Sequence, residues 1–339
     1  MKKVIALVLS AAMVLTLGAC SKSTASTDTN SSSAAPAASA ASSAGSSESS
    51  AAGTSKSGMI YGYTCMDMTN QFHIAMRDAI KAKVQASGGT LIDFDGANDQ
   101  TKQNNGIEDM ITKGMKILFL NPVDSKGVKP ALEACQKAGV KVIVVDSGVA
   151  DTDLTETFIS SNNYQAGQLC GEEIKKLYPD GAKICLIDNP LAQSVVQRVS
   201  GLEDALKGSK STIVGRKSYT SMNAALGDME DLLQAHPDTN VFWGLNDDFG
   251  LMAVGVVKSA NLQKQVKVLC VDGSPAGKKS VAAGDLFGTS AQSPVSIGNK
   301  AVECALTLLN GGKLEKSYAI DTQMVTKDNV AQAGTDSWK

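Results

Sequence analysis

The chain has 339 residues, 43% of them hydrophobic, and its 32 Lys and Arg nearly cancel 34 Asp and Glu, for a formal net charge of -2. That balance, with no basic block and no aromatic–basic alternation, excludes a nucleic-acid partner. After the N-terminus there is no second long apolar run, which excludes further membrane spans, and the apolar content is that of a globular protein large enough for two domains.

Taken in chain order, Lys2 and Lys3 precede an uncharged run from Val4 to Leu17. The run is short for a membrane span and reads as a signal peptide over residues 1–19. It ends in Leu17-Gly18-Ala19-Cys20, which resembles the lipobox of bacterial lipoproteins and implies that Cys20 is lipidated and tied to the membrane. Residues 20–58 are almost entirely Ser, Ala, Thr and Gly, with too few large apolar side chains to offset ordering entropy. They read as a disordered tether with a root-mean-square reach of roughly 30 to 37 Å.

From residue 59 short apolar runs alternate with amphipathic stretches, the pattern of βαβ units. Strands are expected at 59–64, 90–94, 116–120, 141–145, 157–161, 182–187, 211–217, 240–244, 266–271, 286–291 and 317–325, with helices filling most gaps. Val142-Ile143-Val144-Val145 has no polar alternation, as expected of a strand covered on both faces. Trp243 sits within such a run and is expected in the core.

The chain also repeats itself. Val140 to Asp146 (VKVIVVD) is nearly copied by Val266 to Asp272 (VKVLCVD), and each copy is preceded by a strand ending in Leu-Asn, at Asn121 and at Asn246. Two similar doubly wound parallel-sheet α/β lobes are implied. In open parallel sheets, ligands bind outside the carboxyl ends of the strands, so Asn121, Asp146, Asn246 and Asp272 are candidate ligand residues. The alternative for each is a turn or N-cap role, which Asn and Asp also serve at strand-to-helix junctions.

The side chains suit a small polyhydroxylated ligand, whose hydroxyls both donate and accept. Asp146 and Asp272 accept, Asn121, Asn246 and Gln292 do either, and Arg198, early in the helix after strand 182–187, donates in a fork.

These stretches, together with Asn121-Pro122-Val123-Asp124-Ser125, Arg198-Val199-Ser200-Gly201, Ala235-His236-Pro237-Asp238 and Val271-Asp272-Gly273-Ser274-Pro275, resemble the type I periplasmic binding proteins. The likeness is to the ribose-, galactose- and allose-binding group and covers about residues 59–326. It implies that Asn121, Asp146, Arg198, Asn246, Asp272 and Gln292 hydrogen-bond a sugar, and that Phe72 is an aromatic of the site. Cys65, Gln71, His73 and Ser147 are candidate cleft-lining residues. The chain departs from ribose binders at Ser147, where they carry arginine, at Gln71-Phe72, where they carry an aromatic pair, and at Thr220, which replaces a further aromatic. These losses argue against ribose and leave room for a different or larger polyol. The resemblance also implies a three-segment hinge, with lobe one at 59–161 and 293–320 and lobe two at 162–292 and 321–339. It further implies a monomer that serves ABC permease subunits or, alternatively, presents its ligand to a membrane receptor or histidine kinase.

Rival readings lack their residues. The two histidines have no G-x-S-x-G elbow or paired base beside them, and His236 lies in a helix-ending stretch where it caps carbonyls. Gly273 to Lys278 is one residue short of a P-loop. Asp93, Asp95, Asp151 and Asp153 form no EF-hand ladder. After Cys20 the cysteines at 65, 135, 170, 185, 270 and 304 include no C-x-x-C pair, so they are expected as buried free thiols, and neither a metal nor a cofactor is expected. A sugar-responsive repressor of the same fold would need a helix-turn-helix where this chain carries its signal peptide and tether.

Overall fold

The computed structural model describes residues 58–218 and 220–338. The signal peptide, the Cys20 lipidation site and the tether, Gly58 apart, lie outside the described residues.

The first half runs β1 (Ile60–Cys65), α1 (Gln71–Ala86), β2 (Thr90–Asp95), α2 (Gln100–Thr112), β3 (Ile117–Leu120), α3 (Lys129–Ala138), β4 (Lys141–Val145) and β5 (Thr157–Ser161). The second runs α4 (Asn163–Leu177), β6 (Lys183–Asp188), α5 (Gln193–Leu206), β7 (Thr212–Ser218), α6 (Met222–Ala235), β8 (Val241–Trp243), α7 (Asp247–Ser259), β9 (Lys267–Asp272), α8 (Pro275–Ala283) and β10 (Gly288–Ala291). The chain then adds α9 (Pro294–Leu309), β11 (Ser317–Ile320), β12 (Gln323–Thr326) and α10 (Val330–Ala333). Side-chain caps start many of the helices. Asn70 accepts from the Phe72 amide to open α1, and Ser274, followed by Pro275 at the first helical position, accepts from the Gly277 amide to open α8.

The two six-stranded sheets have one topology, β2-β1-β3-β4-β5-β11 and β7-β6-β8-β9-β10-β12. Neighbours pair in parallel except β10 with β12. The repeated sequence is thus a repeated doubly wound lobe. Alternation of side chains along each strand divides the lobe-one core. Ile117, Phe119, Ile143 and Val145 pack with α1 and α9 on one face, and Leu118, Leu120, Val142 and Val144 pack with α2 and α3 on the other. Trp243 and Phe249 are both buried in the lobe-two core.

The stretch 317–325, expected as one strand, is two strands on different sheets. β11 pairs with β5 of lobe one and β12 with β10 of lobe two. The break is held by Gln165, whose Oε1 accepts from the Thr322 amide at 2.7 Å and from its hydroxyl at 3.1 Å. A continuous extended pattern does not reveal which ladder each residue joins. The resemblance assigns residues 321–339 to lobe two; β12 and α10 pack there, and Trp338 reaches the lobe-one core.

Lobe two holds the closest helix contact. A Cβ on Gly167 of α4 would lie 1.7 Å from the Arg198 carbonyl, and one on Gly201 of α5 would lie 2.0 Å from the Tyr164 carbonyl. Only glycine at both positions lets the two backbones meet this closely, and that approach sets Arg198 beside Asn163.

Candidate functional site

The strand ends of the two lobes carry the candidate side chains: Asn246 and Asp272 line one cavity and Asp146 lines another. Asn121 follows β3, Asp146 follows β4, Asn246 precedes α7 and Asp272 ends β9. Asp146 has φ +65° and Asp272 φ +141°, two non-glycine residues in left-handed backbone at matched positions of the two lobes. Each such conformation costs on the order of 1–3 kcal/mol and persists only where the surroundings hold it. Both strained carboxylates thus stand at matched strand ends of the two lobes.

In lobe one, Asp146 Oδ2 accepts from Asn121 Nδ2 at 3.0 Å and lies 3.6 Å from His73 Nε2. His73 Nδ1 is 2.7 Å from the Asp67 carbonyl oxygen, so that nitrogen must donate. The other ring nitrogen faces the Asp146 carboxylate, whose charge favours the protonated ring. Burial pulls the His73 pKa down, but contacts with the Asp146 carboxylate and Cys65 outweigh it and raise it to about 10. His73 thereby supplies the cation beside Asp146 in a chain that has Ser147, not arginine, as its next residue. Asn121 is fully buried, and its Oδ1 has no hydrogen-bond partner among the described residues.

In lobe two, Arg198 is 7% exposed. Its Nε donates to Asn163 Oδ1 and its Nη1 to the Leu245 carbonyl, both at 2.9 Å, and Nη1 lies 3.7 Å from Asp272 Oδ1. Gln292 Nε2 donates to Asp272 Oδ1 as well. Burial raises the Asp272 carboxyl to about 7; the charges of Asp247 and Asp248 add to the rise, while Arg198 and Gln292 oppose it. Behind this pair, buried Asp247 accepts from the Ser274 amide and hydroxyl and from the Thr289 hydroxyl, each at 2.6 Å. Asp247 therefore braces the β9–α8 turn that carries Asp272.

Two cavities lie between the lobes, of about 880 and 590 Å³, within the range of small-molecule sites. Gln71, Asn246 and Asp272 line the larger one, and Asp146 and Ser147 line the smaller. Arg198, Gln292, His73 and Asn121 are buried behind these surfaces and hold the two carboxylates. Asn246 is also the N-cap of α7, its Oδ1 accepting from the Phe249 amide, so the capping and cleft readings both apply to it. Phe72 is 6% exposed and meets the indole of Trp338 edge-on; Cys65 is buried at the end of β1.

Three residues escaped the sequence reading. Asn163 orients Arg198 and lines the smaller cavity, Asp247 braces the turn, and Trp338 lines the larger cavity. Asn163 and Asp247 stand at helix starts, where a capping role masks any other. Cys65, Cys135, Cys170, Cys185, Cys270 and Cys304 are all free and buried. Among the described residues no cluster of His, Cys, Asp or Glu is arranged to hold a metal ion, and no helix is long and apolar enough to cross a membrane.

Two similar lobes presenting paired, charge-compensated carboxylates to inter-lobe cavities define a two-lobe α/β ligand-binding protein. Comparison with known proteins is more specific: residues 61–313 match the periplasmic binding protein domain family, and the chain belongs to it. The ribose import binding protein of Salmonella typhimurium is 30% identical over 262 residues, 77% of this chain and 88% of that one. The ribose import binding protein of Bacillus subtilis is 28% identical over 274 residues, 80% of this chain and 89% of that one. Among solved structures, an ABC transporter solute binding protein from Mycobacterium smegmatis with bound glycerol is 32% identical with a TM-score of 0.75, covering 83% of this chain and all of the other. The Caulobacter myo-inositol binding protein bound to myo-inositol is 27% identical with a TM-score of 0.72, covering 81% of this chain and 95% of the other.

Proposed function

We propose that this chain is the solute-binding component of an ABC importer and carries no catalytic activity. It binds a monosaccharide or related polyol between its lobes and closes on it by a hinge. The observation that carries this reading is the pair of matched strand-end carboxylates, Asp146 held by His73 and Asn121, and Asp272 held by Arg198 and Gln292. Carboxylates already oriented by cations and amides accept hydroxyl protons without first reorganising, which is what a polyol needs of a desolvated cleft. Similarity to ribose and myo-inositol binding proteins supports the ligand class.

The globular part lies outside the cytoplasm, held to the membrane by lipid on Cys20 through the Ser- and Ala-rich segment that follows, and works as a monomer that permease subunits read in its closed state. Ligand stabilises that state by its differential affinity for the two arrangements of the lobes.

The test is a thermal-shift screen of the full chain against pentoses, hexoses, deoxy sugars, polyols, amino acids and nucleosides, paired with uptake measurements in a deletion strain. A cleft binder gains stability with its ligand. A shift with a carbohydrate or polyol and loss of its uptake are expected. A shift confined to amino acids or nucleosides overturns the ligand class, and unchanged uptake overturns the transport role.

A further inference from the structure

Residues 323–338 leave the last hinge crossing and run along lobe two before reaching lobe one. β12 pairs with β10, and Asn329 ties the turn after it, donating to the Met324 carbonyl and accepting from the Thr326 amide, both at 2.9 Å. The segment then rests on α8. Lys278, 2% exposed, donates from Nζ to the Ser337 carbonyl at 2.7 Å, and Lys279 Nζ lies 3.3 Å from Asp336 Oδ1. A buried ammonium needs acceptors, so the Lys278 contact anchors the tail firmly on lobe two.

One residue later the chain changes lobes. The Trp338 indole packs, partly buried, against the lobe-one core and stands edge-on to Phe72, with ring centroids 5.3 Å apart and planes at 89°. The same indole lines the larger inter-lobe cavity beside Gln71, Asn246 and Asp272. Phe72, the aromatic that the sequence points to, lies buried behind it. The aromatic surface that reaches the cavity is therefore the one from the C-terminal tail.

We infer that Trp338 is a specificity-determining residue of the ligand cleft, the aromatic wall supplied by a C-terminal strap that is anchored on lobe two and docks on lobe one. The inference rests on the sugar reading above and extends it. The C–H face of a pyranose or cyclitol packs on the indole while its hydroxyls meet Asn246 and Asp272, and the strap ties ligand occupancy to the closed arrangement. A tail that served structure alone would bury this ring; Trp338 keeps part of it in the cavity.

The chain has two tryptophans, and Trp243 is fully buried in the lobe-two core, so the emission difference between the wild type and Trp338→Phe reports on Trp338. The full chain, as wild type, Trp338→Ala and Trp338→Phe, is titrated with D-allose, myo-inositol and D-ribose, with L-arginine and adenosine as non-carbohydrate arms. With whichever probe stabilises the wild type, Trp338→Ala weakens binding by about 10-fold, Trp338→Phe recovers most of it, and the Trp338 emission shifts on saturation. Binding by Trp338→Ala within about twofold of wild type, or emission unmoved by a saturating probe, overturns the inference. A response only to arginine or adenosine sinks the sugar reading and leaves the Trp338 comparison decisive on that probe. With no responding probe the sugar reading fails for this panel, and the ligand-free emission decides the strap. A partly shielded indole, blue-shifted yet still reached by a small neutral quencher, supports it, and a fully protected or a solvent-like, freely quenched one overturns it.

Discussion

Replacing Arg198 by alanine removes the Asp272 cation and the donors to Asn163 Oδ1 and the Leu245 carbonyl, all in a site where Arg198 is only 7% exposed. Breaking a buried pair by removing one partner costs about 3–5 kcal/mol of stability, because the remaining charge stays buried. Asp272 has a partial escape. Its carboxyl already sits at about 7, and without Arg198 it rises further, so near pH 6 the variant neutralises the orphan by taking a proton. The stability loss in urea denaturation is therefore larger at pH 8.5 than at pH 6, where about 1–3 kcal/mol from the two unmade hydrogen bonds remains. Ligand affinity, measured by calorimetry, falls by about 2–5 kcal/mol, roughly 30-fold to a few thousand-fold, as Asp272 loses its orientation and charge. Arg198→Lys keeps the charge, loses the fork and falls between. The double variant Arg198→Met/Asp272→Asn regains stability over Arg198→Ala, since no buried charge is left unpaired. Unchanged affinity in Arg198→Ala, with a stability loss equal at both pH values, would falsify the pairing and the site built on it.

Asp272 itself gives a pH dependence of two opposite signs. Its folded pKa lies above the ordinary carboxylate value, so its burial cost is absent below about 4, appears as pH rises through about 7, and makes the wild type less stable relative to Asp272→Asn at high pH; ligand affinity runs the other way, falling as pH drops below about 7, and affinity that is flat from pH 5 to 8 contradicts this. For His73 the folded pKa is raised from 6.5 to about 10, so its contribution to stability is full below 6.5 and is lost as pH climbs through 10. An NMR titration should find its ring protonated throughout pH 5 to 8, and a midpoint near 6.5 removes the imidazolium from the site. Gly201→Ala puts a methyl 2.0 Å from the Tyr164 carbonyl, forcing α4 and α5 apart; a loss of about 1–3 kcal/mol or more is expected, with weakened binding because Arg198 moves with α5, and a variant of wild-type stability shows that the helices do not meet this closely.

Most of the secondary structure was legible in the residues because burial on a sheet or against one leaves a local period. Val142 to Val145 reads as a doubly covered strand, and the repeated Leu-Asn and Val-Asp endings pointed to the carboxyl edges where the cavities lie. Within the site, the sequence identified chemical types and left their pairing open. That Asp146 faces His73 and Asp272 faces Arg198 depends on how α1 and α5 pack on their sheets, separations of 73 and 74 residues that no local pattern encodes. The same is true of the Gly167 and Gly201 contact, legible as two glycines in amphipathic helices but not as the approach that sets Arg198 in place.

What the sequence by itself determined is therefore the class of fold, the duplication and the inventory of polar groups at the strand ends, because side-chain periodicity and turn chemistry act over a few residues. The tertiary structure alone decided which cation neutralises which carboxylate. It alone placed the indole of Trp338 against Phe72, 266 residues away in the chain. Each of these is a choice among distant partners, made by the simultaneous packing of helices, sheets and the returning chain, and a linear pattern carries no record of it.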